Sequence, residues 1–498
     1  MFSLVAHSFR TRIGQYVGSL LVVVMTSALF TTLATILDRV RQAGLGHGAE
    51  RSAESLMGLV GSTSGLAALL LVANTFSLVV DQRRREIGVL RTIGTTPVQI
   101  RLQIVGEALL VSLAGGLAGS VLGTAGTGPA LRWLVRNEVI PAGTEAHFSV
   151  TGAVTGPLCT AVIAVLAALT AVHRPTRTGA LATVREAEVR RRAMPTGRVI
   201  SVLLMSALAF AVYRRYEHRD GADDAVDGAM ALGLMLLLAA WLLMPVLVRP
   251  LMAVGARPGR VLSRYTGRLA AVNGVGATRR TAAMSGPVLI ASGLSALLLC
   301  SAAAAGAVEE VEARPVTVTR TADVSVTSGG AVAAEHPVAA VRADDAPAAS
   351  NEETRAAEAD RQRRRNAVGI KVLMAPLIIF SGVGILNTLL LATRQRRREF
   401  AVLRLSGGTT GQLLRMLLWE SLAVVIAGVA TAGAVVGAFL GVLSQRLAPF
   451  GVETAAVLPW DQLARVVAGC AALGLLGVLV PARSALRVRA VRATRTPD

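Results

Sequence analysis

Residues 74–107 read NTFSLVVDQRRREIGVLRTIGTTPVQIRLQIVGE, and residues 387–420 read NTLLLATRQRRREFAVLRLSGGTTGQLLRMLLWE. Aligned without a gap, the two stretches are identical at 15 of 34 positions, including the shared segment QRRRE. A shorter echo comes later in each half, HRPTRTGAL at 173–181 and VPARSAL at 480–486. This self-similarity predicts an internal duplication whose two halves run in the same direction.

The composition is that of a membrane protein. The 498 residues are 53% hydrophobic and 16% charged, and the mean hydropathy is +0.57. Soluble domains seldom reach this balance. A membrane span needs about 20 mostly apolar residues. Ten segments meet that requirement: 13–37, 56–80, 100–122, 150–172, 199–212, 230–248, 283–304, 372–393, 413–443 and 463–480.

The distribution of arginine predicts the orientation of the chain. Of the 51 lysines and arginines only Lys371 is a lysine, and the arginines flank apolar runs rather than forming one stripe. That pattern argues against nucleic acid as a partner and agrees with the excess of positive charge on cytoplasmic loops. Together with an even number of spans, this bias predicts a multi-pass membrane protein with both termini in the cytoplasm. The arginine triplet 363–365, in an external loop, is an exception.

The repeat and the spans divide the chain. Residues 1–198 carry spans 1–4, residues 199–250 a central pair of spans, and residues 251–498 spans 7–10. The longest external loop, 308–370, is expected to form a small α/β module, because 315–328 alternates like a strand and 351–367 is charged like a solvated helix. The predicted fold is therefore an all-α polytopic membrane protein of about ten transmembrane helices in two parallel repeats, with a small α/β extracytoplasmic loop.

Each copy of the repeated segment leaves one span and re-enters the next through a short amphipathic stretch. In the first copy Ile87, Leu90, Ile93 and Val98 are predicted to form one apolar side. Gly94, and Gly407 with Gly408 in the second copy, permit a sharp turn before re-entry. Such a stretch is either an interfacial helix on lipid headgroups or a lever between two spans. The duplication favours the lever.

Two pairs of polar residues are predicted to lie inside spans. Glu107 and Glu420 fall just inside the third and ninth spans, where a carboxyl group is costly and often functional. A structural alternative is that each pairs with the arginine cluster or caps a turn near the interface. Asn74 and Asn387 are expected to hydrogen-bond between helices, the usual role of such residues.

The sequence carries no recognisable machinery for catalysis. A phosphate-binding P-loop requires a lysine in the pattern GxxxxGK[ST], and Lys371, in the context GIKV at 369–372, does not fit it. No HExxH motif occurs, the six histidines are scattered, and Cys159, Cys300 and Cys470 sit singly in apolar runs. We expect no cofactor or metal in this chain and no enzymatic activity of its own.

The segments RRREIGVLRTIGTTPVQI and RRREFAVLRLSGGTTGQL resemble the FtsX-like permease domain of type VII ABC transporters. The stretch RLAAVNGVGATRRTAAM, from Arg268 onward, also resembles the helix that precedes a span in that family. The ten-span layout is similar to the duplicated Bce-type and macrolide-exporter permeases. The external loop of this chain is much smaller than the Bce-type domain, which argues against peptide capture by that loop.

The resemblance implies several expectations. The stretches near 83–99 and 396–412 would be coupling helices that dock two copies of an ABC nucleotide-binding ATPase, which binds the ATP and Mg²⁺. Motion would pass through the membrane by mechanotransmission, to export or extract an amphipathic compound such as an antimicrobial peptide. The residues to which this coupling role is carried over are Arg83, Arg84, Arg85, Glu86, Leu90, Arg91, Gly94, Gln99, Arg396, Arg397, Arg398, Glu399, Leu403, Arg404, Gly407 and Gln412.

Two alternatives remain beside the transporter. One is an ATP-driven signalling or regulatory protein, for antibiotic sensing or control of an external cell-wall enzyme. The other is an ion-coupled secondary transporter that uses Glu107 and Glu420. For the transporter, membrane lipid and an amphipathic substrate are the expected partners. A sensor kinase or an external accessory protein is an optional further partner.

Overall fold

The computed structural model describes residues 13–42, 47–82, 87–89, 92–137, 148–172, 196–217, 222–255, 257, 278–312, 364, 368–372, 374–387, 397–450 and 458–486. Within these ranges the chain is helical almost throughout and contains no strand. The long helices are α1 Ile13–Gln42, α2 His47–Gln82, α3 Pro97–Arg136, α4 Val150–Val172, α5 Thr196–Glu217, α6 Ala222–Gly255, α7 Thr278–Glu312, α8 Val368–Asn387, α9 Thr410–Leu447 and α10 Trp460–Leu486. A short helix, Arg397–Leu405, precedes α9, and a 3₁₀ turn, Ala448–Phe450, follows it.

The long helices confirm the predicted all-α membrane architecture. Nine of them, α1 to α9, contain stretches long and apolar enough to cross a membrane within the described part of the chain. The tenth predicted segment lies in α10, whose 27 residues give a length of about 40 Å. A chain that must satisfy its backbone hydrogen bonds inside lipid forms such helices because water is not there to replace them.

The predicted external module lies mostly outside the described residues. The strand expected at 315–328 falls entirely outside them, and so does most of the helix expected at 351–367. At its start the module is helical, since α7 continues to Glu312.

The first half is a four-helix bundle with α1 held closely by its neighbours. Gly119 and Gly123 of α3 lie against the α1 backbone, and Gly152 and Gly156 of α4 lie against Thr31 and Thr35 of α1. Small residues let helices approach closely in lipid, where packing replaces the hydrophobic effect. Two interhelical hydrogen bonds add to this contact, from Ser27 Oγ to Gly116 O at 2.7 Å and from Thr32 Oγ1 to Gly123 O at 3.1 Å.

The second half is built around α7, which contacts α2, α6, α9 and α10. Helix α6 occupies a groove between α7 and α9, and α5 packs along α6. At the far end of α9 the Arg446 guanidinium donates to Tyr216 O at 3.1 Å and lies over the Tyr213 ring. The central pair α5–α6 is therefore part of the second bundle.

Candidate functional site

The two copies of the repeated segment fold into the same turn. Gly94 has φ 101° and Gly407 has φ 94°, a left-handed conformation that side chains beyond glycine rarely adopt. The next helices then begin at equivalent positions, α3 at Pro97 and α9 at Thr410. We call residues 92–99 and 405–412 the connector turns, and the end of the bundle where they lie the connector end.

In the second copy the turn ends the short helix Arg397–Leu405. The Gly407 N–H donates to Arg404 O at 3.1 Å, and the Gly408 N–H donates to Leu403 O at 2.9 Å. This pair of bonds is the Schellman motif, which satisfies the last carbonyl groups of a helix and needs a left-handed residue between them. In the first copy residues 87–89 and 92 are helical, and the Ile93 N–H donates to Val89 O at 3.2 Å.

A capping box starts the next helix in both copies. The Gln99 N–H donates to Thr96 Oγ1 at 3.4 Å while the Thr96 N–H donates to Gln99 Oε1 at 2.9 Å. Thr409 and Gln412 repeat the arrangement at 3.3 and 3.0 Å. Gln99 and Gln412, singled out by the resemblance as coupling residues, are thus exposed and engaged in fixing the start of α3 and α9.

The apolar side chains of the connector end divide into two sets. Ile87 is buried with Val80, Ile100 and Ile104, and its counterpart Phe400 is buried in the second half. A second set is exposed: Val89, Ile93 and Val98 in the first copy, and Val402 and Leu405 in the second. We call this exposed set the connector surface.

The expectation that Ile87, Ile93 and Val98 share one apolar side is wrong. Gly94, with its positive φ, lies between Ile93 and the helix that begins at Pro97 and contains Val98. The helical spacing assumed in the prediction therefore does not apply across the turn. Ile87 points inward, whereas the other two are exposed. Leu90, the fourth member of that predicted side, lies outside the described residues.

The remaining candidate coupling residues are only partly described. Glu399 is exposed, Arg404 is partly exposed, and both engage in polar or charged interactions. Leu403 is partly buried against the core of the second half. Outside the described residues lie Arg83, Arg84, Arg85, Glu86, Arg91 and Arg396, as do the side chains of Arg397 and Arg398.

Asn74 and Asn387 join the two halves. Asn74 Nδ2 donates from α2 to Ala283 O of α7 at 3.0 Å, and Asn387 Nδ2 donates from α8 to Thr75 Oγ1 of α2 at 3.2 Å. The Asn387 side chain also lies against Gly18 of α1. The expectation that these residues bond between helices is confirmed, and in both cases the bond crosses from one repeat to the other.

Glu107 and Glu420 are buried at equivalent places. Each follows the first residue of its helix by ten positions, roughly 15 Å along the axis. Both are almost fully buried, and both engage an interaction partner. Burial at equivalent places fits the prediction that both carboxyl groups lie inside spans, and the structural and the functional roles considered for them both stay predictions.

Sequence reasoning missed Thr96 and Thr409. Both head the pattern Thr-x-x-Gln immediately before an apolar run, and this pattern is a recognised signature of a helix start. It was available in TPVQ at 96–99 and TTGQ at 409–412. No sequence pattern predicts that Val89 and Val402 are exposed, because their exposure depends on how each connector turn packs against the long helices.

Two helical repeats meet through α2, α7 and α8, and each carries a capped connector turn. This architecture is that of a duplicated polytopic α-helical membrane protein. The family model of the FtsX-like permease C-terminal domain matches the chain twice, over residues 58–177 and 371–490. The chain therefore carries the FtsX-like permease domain twice, consistent with a duplicated FtsX-like permease. Members of this family are membrane subunits of transporters and in general work with ABC ATPases. No curated protein matches the chain.

Proposed function

We propose that this chain is the permease subunit of an ABC transporter and that partner ATPases dock on its two connector turns. Motion of the ATPases would export or extract an amphipathic compound, such as an antimicrobial peptide, by mechanotransmission. The observation that supports this most directly is the duplication of one rigid turn, with the same glycine conformation and the same capping box, at one end of the bundle.

The connector surface has the character of a protein-binding surface. Exposed aliphatic side chains cluster at both turns, which lie at helix ends, where water or another protein meets the bundle. Two turns correspond to two ATPase copies, and those ATPases would bind the ATP and Mg²⁺. The neighbouring stretches 83–86 and 396–398 add arginines to each turn.

The turns are built to transmit a displacement. In each copy a capping box fixes the start of a long helix, and in the second copy a Schellman motif also fixes the end of the preceding one. Force applied to Val89 or Val402 would therefore move α3 or α9 as a rigid element. Asn74 and Asn387 would carry that motion between halves, because both bonds cross the repeat boundary.

This function fixes the orientation. The connector end faces the cytoplasm of a bacterial cell, and both termini lie on that side. Lipid surrounds the bundle, and a sensor kinase or an external accessory protein is an optional third component. The domain plan of 1–198, 199–250 and 251–498 follows the same assignment.

The test uses charged and apolar substitutions at equivalent positions of the connector surface. Val89→Asp with Val402→Asp places an unpaired carboxylate in the proposed contact, and we expect co-purification of a partner ABC ATPase co-expressed with this chain to fall at least about tenfold. The matched control is Val89→Ile with Val402→Ile, which keeps the surface apolar and should bind as the wild type does.

Unchanged ATPase binding and stimulation in the charged variant would refute docking at the connector surface. Alanine at Glu86, Arg91, Glu399 and Arg404 tests the charged part of the same site, where weaker binding is also expected. Transport that persists on an ion gradient after removal of the ATPase would instead support the secondary transporter that uses Glu107 and Glu420. ATPase stimulation without movement of any amphipathic compound would favour the signalling alternative.

A further inference from the structure

The groove filled by α6 in the second half has an open counterpart in the first half. On the α7 side of the filled groove, Gly233 of α6 faces Leu297, Leu237 faces Gly293, and Trp241 faces Gly286. On the α9 side, Gly233 also faces Phe439, and Thr431 Oγ1 lies 3.9 Å from Met244 Sδ. Large side chains thus alternate with glycines where α6 meets α7.

The repeat gives the equivalent positions in the first half. The shift of 313 residues that aligns the connector turns also aligns α9 with α3. A shift of 268 residues aligns α7 with α1, bringing Gly286 onto Gly18 and the SAL sequence at 295–297 onto the one at 27–29. The packing agrees with both shifts, because Gly115 lies against Leu20 and its counterpart Gly428 lies against Val288.

Burial differs sharply between these equivalent positions. Val435 of α9 is 7% exposed, whereas its counterpart Leu122 on α3 is 58% exposed. Leu289 of α7 is fully buried, whereas its counterpart Leu21 on α1 is 44% exposed. We call this open strip the α1–α3 groove, and its other α3 members, Ala114, Ala118 and Gly126, are exposed as well.

The ends of the groove carry information about its occupant. Near the connector end the groove is closed, because Asn387 of α8 lies against Gly18. At the opposite end of α3, Trp133, Arg132 and Arg136 are exposed close to the same helical face. In the second half, the end of α6 that lies at this level is acidic and contains Asp224 and Asp227. It packs in the same bundle as Arg446, near the end of α9.

We propose that the α1–α3 groove binds a transmembrane helix of a separate membrane protein, acidic at the end that meets Arg132 and Arg136. Two observations identify a helix as the occupant: the equivalent groove of the same chain holds one, and the arginines at the mouth of the open groove are complementary to an acidic helix end. This inference does not depend on ATPase docking.

The walls also define which helix fits. Gly126 stands where Phe439 stands in the filled groove, whereas Leu29 stands where Leu297 stands, so at the level of Gly233 the α3 wall alone leaves room for a larger side chain. Met25 stands where Gly293 stands, so the occupant needs a small residue at the level of Leu237. The occupant is therefore expected to be larger than α6 at the level of Gly233, on the side that faces α3, and smaller than α6 at the level of Leu237.

The experiment uses two synthetic transmembrane peptides as probes and the full chain in lipid nanodiscs. The parent probe has the α6 sequence, 222–255, and the swapped probe carries Gly233→Phe, Leu237→Ala and Trp241→Ala. A photoreactive residue replaces Leu122 in the groove or, as the matched control, Leu158 on α4, which is 61% exposed. We expect the swapped probe to cross-link saturably at position 122 and to give a higher yield there than at position 158. Its yield at 122 should exceed that of the parent probe at least roughly fivefold, because overpacked side chains weaken binding of the parent probe by about that factor.

Two further variants sharpen the result. Ala118→Trp fills the groove from an exposed position and should abolish cross-linking at 122, while the variant stays monodisperse with an unchanged unfolding temperature. A swapped probe with Asp224→Asn and Asp227→Asn should bind more weakly. Equal yields for both probes and both positions would overturn the proposal, because the groove would then be ordinary lipid-facing surface. Cross-links at 122 between two copies of this chain, preferred over the probe, would overturn it in favour of self-association.

Discussion

Replacing Gly94 or Gly407 by alanine tests whether the connector turns are as rigid as their geometry indicates. A Cβ atom at either position meets nothing within 4 Å, so the substitution adds no collision. What remains is the backbone, held at φ 101° and 94°, where an L side chain costs about 1–2 kcal/mol. We therefore expect the turn to open roughly 5- to 30-fold more often in each variant.

The assay is native-state hydrogen exchange of the amides at the start of α3 and α9. The Gln99 N–H is bonded to Thr96 Oγ1 and the Ile100 N–H to Thr96 O, so both amides report opening of the first turn. Their exchange rates follow the population of the open form when closing is fast. A corresponding loss of ATPase stimulation is expected, since an opened turn no longer moves its long helix.

Two other glycines provide matched controls. Gly106 of α3 and Gly411 of α9 also have open space around the position of a Cβ atom, but neither has a positive φ. Alanine there should be neutral or should stabilise the helix by about 0.5–1 kcal/mol. The reasoning is refuted if Gly94→Ala and Gly407→Ala leave amide protection unchanged, or if the control variants lose as much protection as they do.

Three further predictions follow from the packing. Asn74→Ala together with Asn387→Ala should lower the free energy of unfolding, measured by denaturant in mixed micelles, by about 1 kcal/mol, because a single interhelical hydrogen bond in a membrane averages about 0.6 kcal/mol. A much smaller loss in the double variant would show that these two bonds do not stabilise the contact between the halves. In the same assay Gly119→Ala should lower the free energy of unfolding by at least about 2 kcal/mol, because its Cβ atom would collide with the α1 backbone. The control Gly433→Ala should change it little, because a Cβ atom there meets nothing within 4 Å. Equal effects of the two substitutions would contradict the close approach of α1 and α3. Glu54→Gln should shift stability by less than about 1 kcal/mol, because its bridge to Arg41 is solvent-accessible, and a larger loss would show that this bridge is more important than its exposure indicates.

The duplication and the turns were readable from the sequence because they depend on local chemistry. Glycine at 94 and 407 and threonine before each helix act within one turn of chain, so a gap-free repeat predicts the same geometry twice. The spans were readable for a similar reason, since lipid demands long apolar helices.

The sequence did not predict which helices pack against one another. A lipid-facing leucine and one buried between helices are equally apolar, so hydropathy cannot distinguish Leu122 from Val435. The site of α6 against α7 and α9 depends on matching shapes such as Gly233 with Leu297, which are separated by many residues in the chain. The partners of Asn74 and Asn387 depend on the same long-range packing.

Within the described part of the chain α5 and α6 pack on the second half, and this asymmetry has a consequence for how such a chain can evolve. In a permease assembled from two identical subunits, every inserted helix pair and every substitution appears twice, and each must be tolerated on both sides. Covalent fusion removes that constraint, so one bundle can specialise while the other keeps its original surface. The differences between Ile93 and Ser406, and between Thr92 and Leu405, are substitutions of this kind. If a dimeric ATPase docks on the two connector turns as proposed, its two otherwise equal subunits meet unequal surfaces.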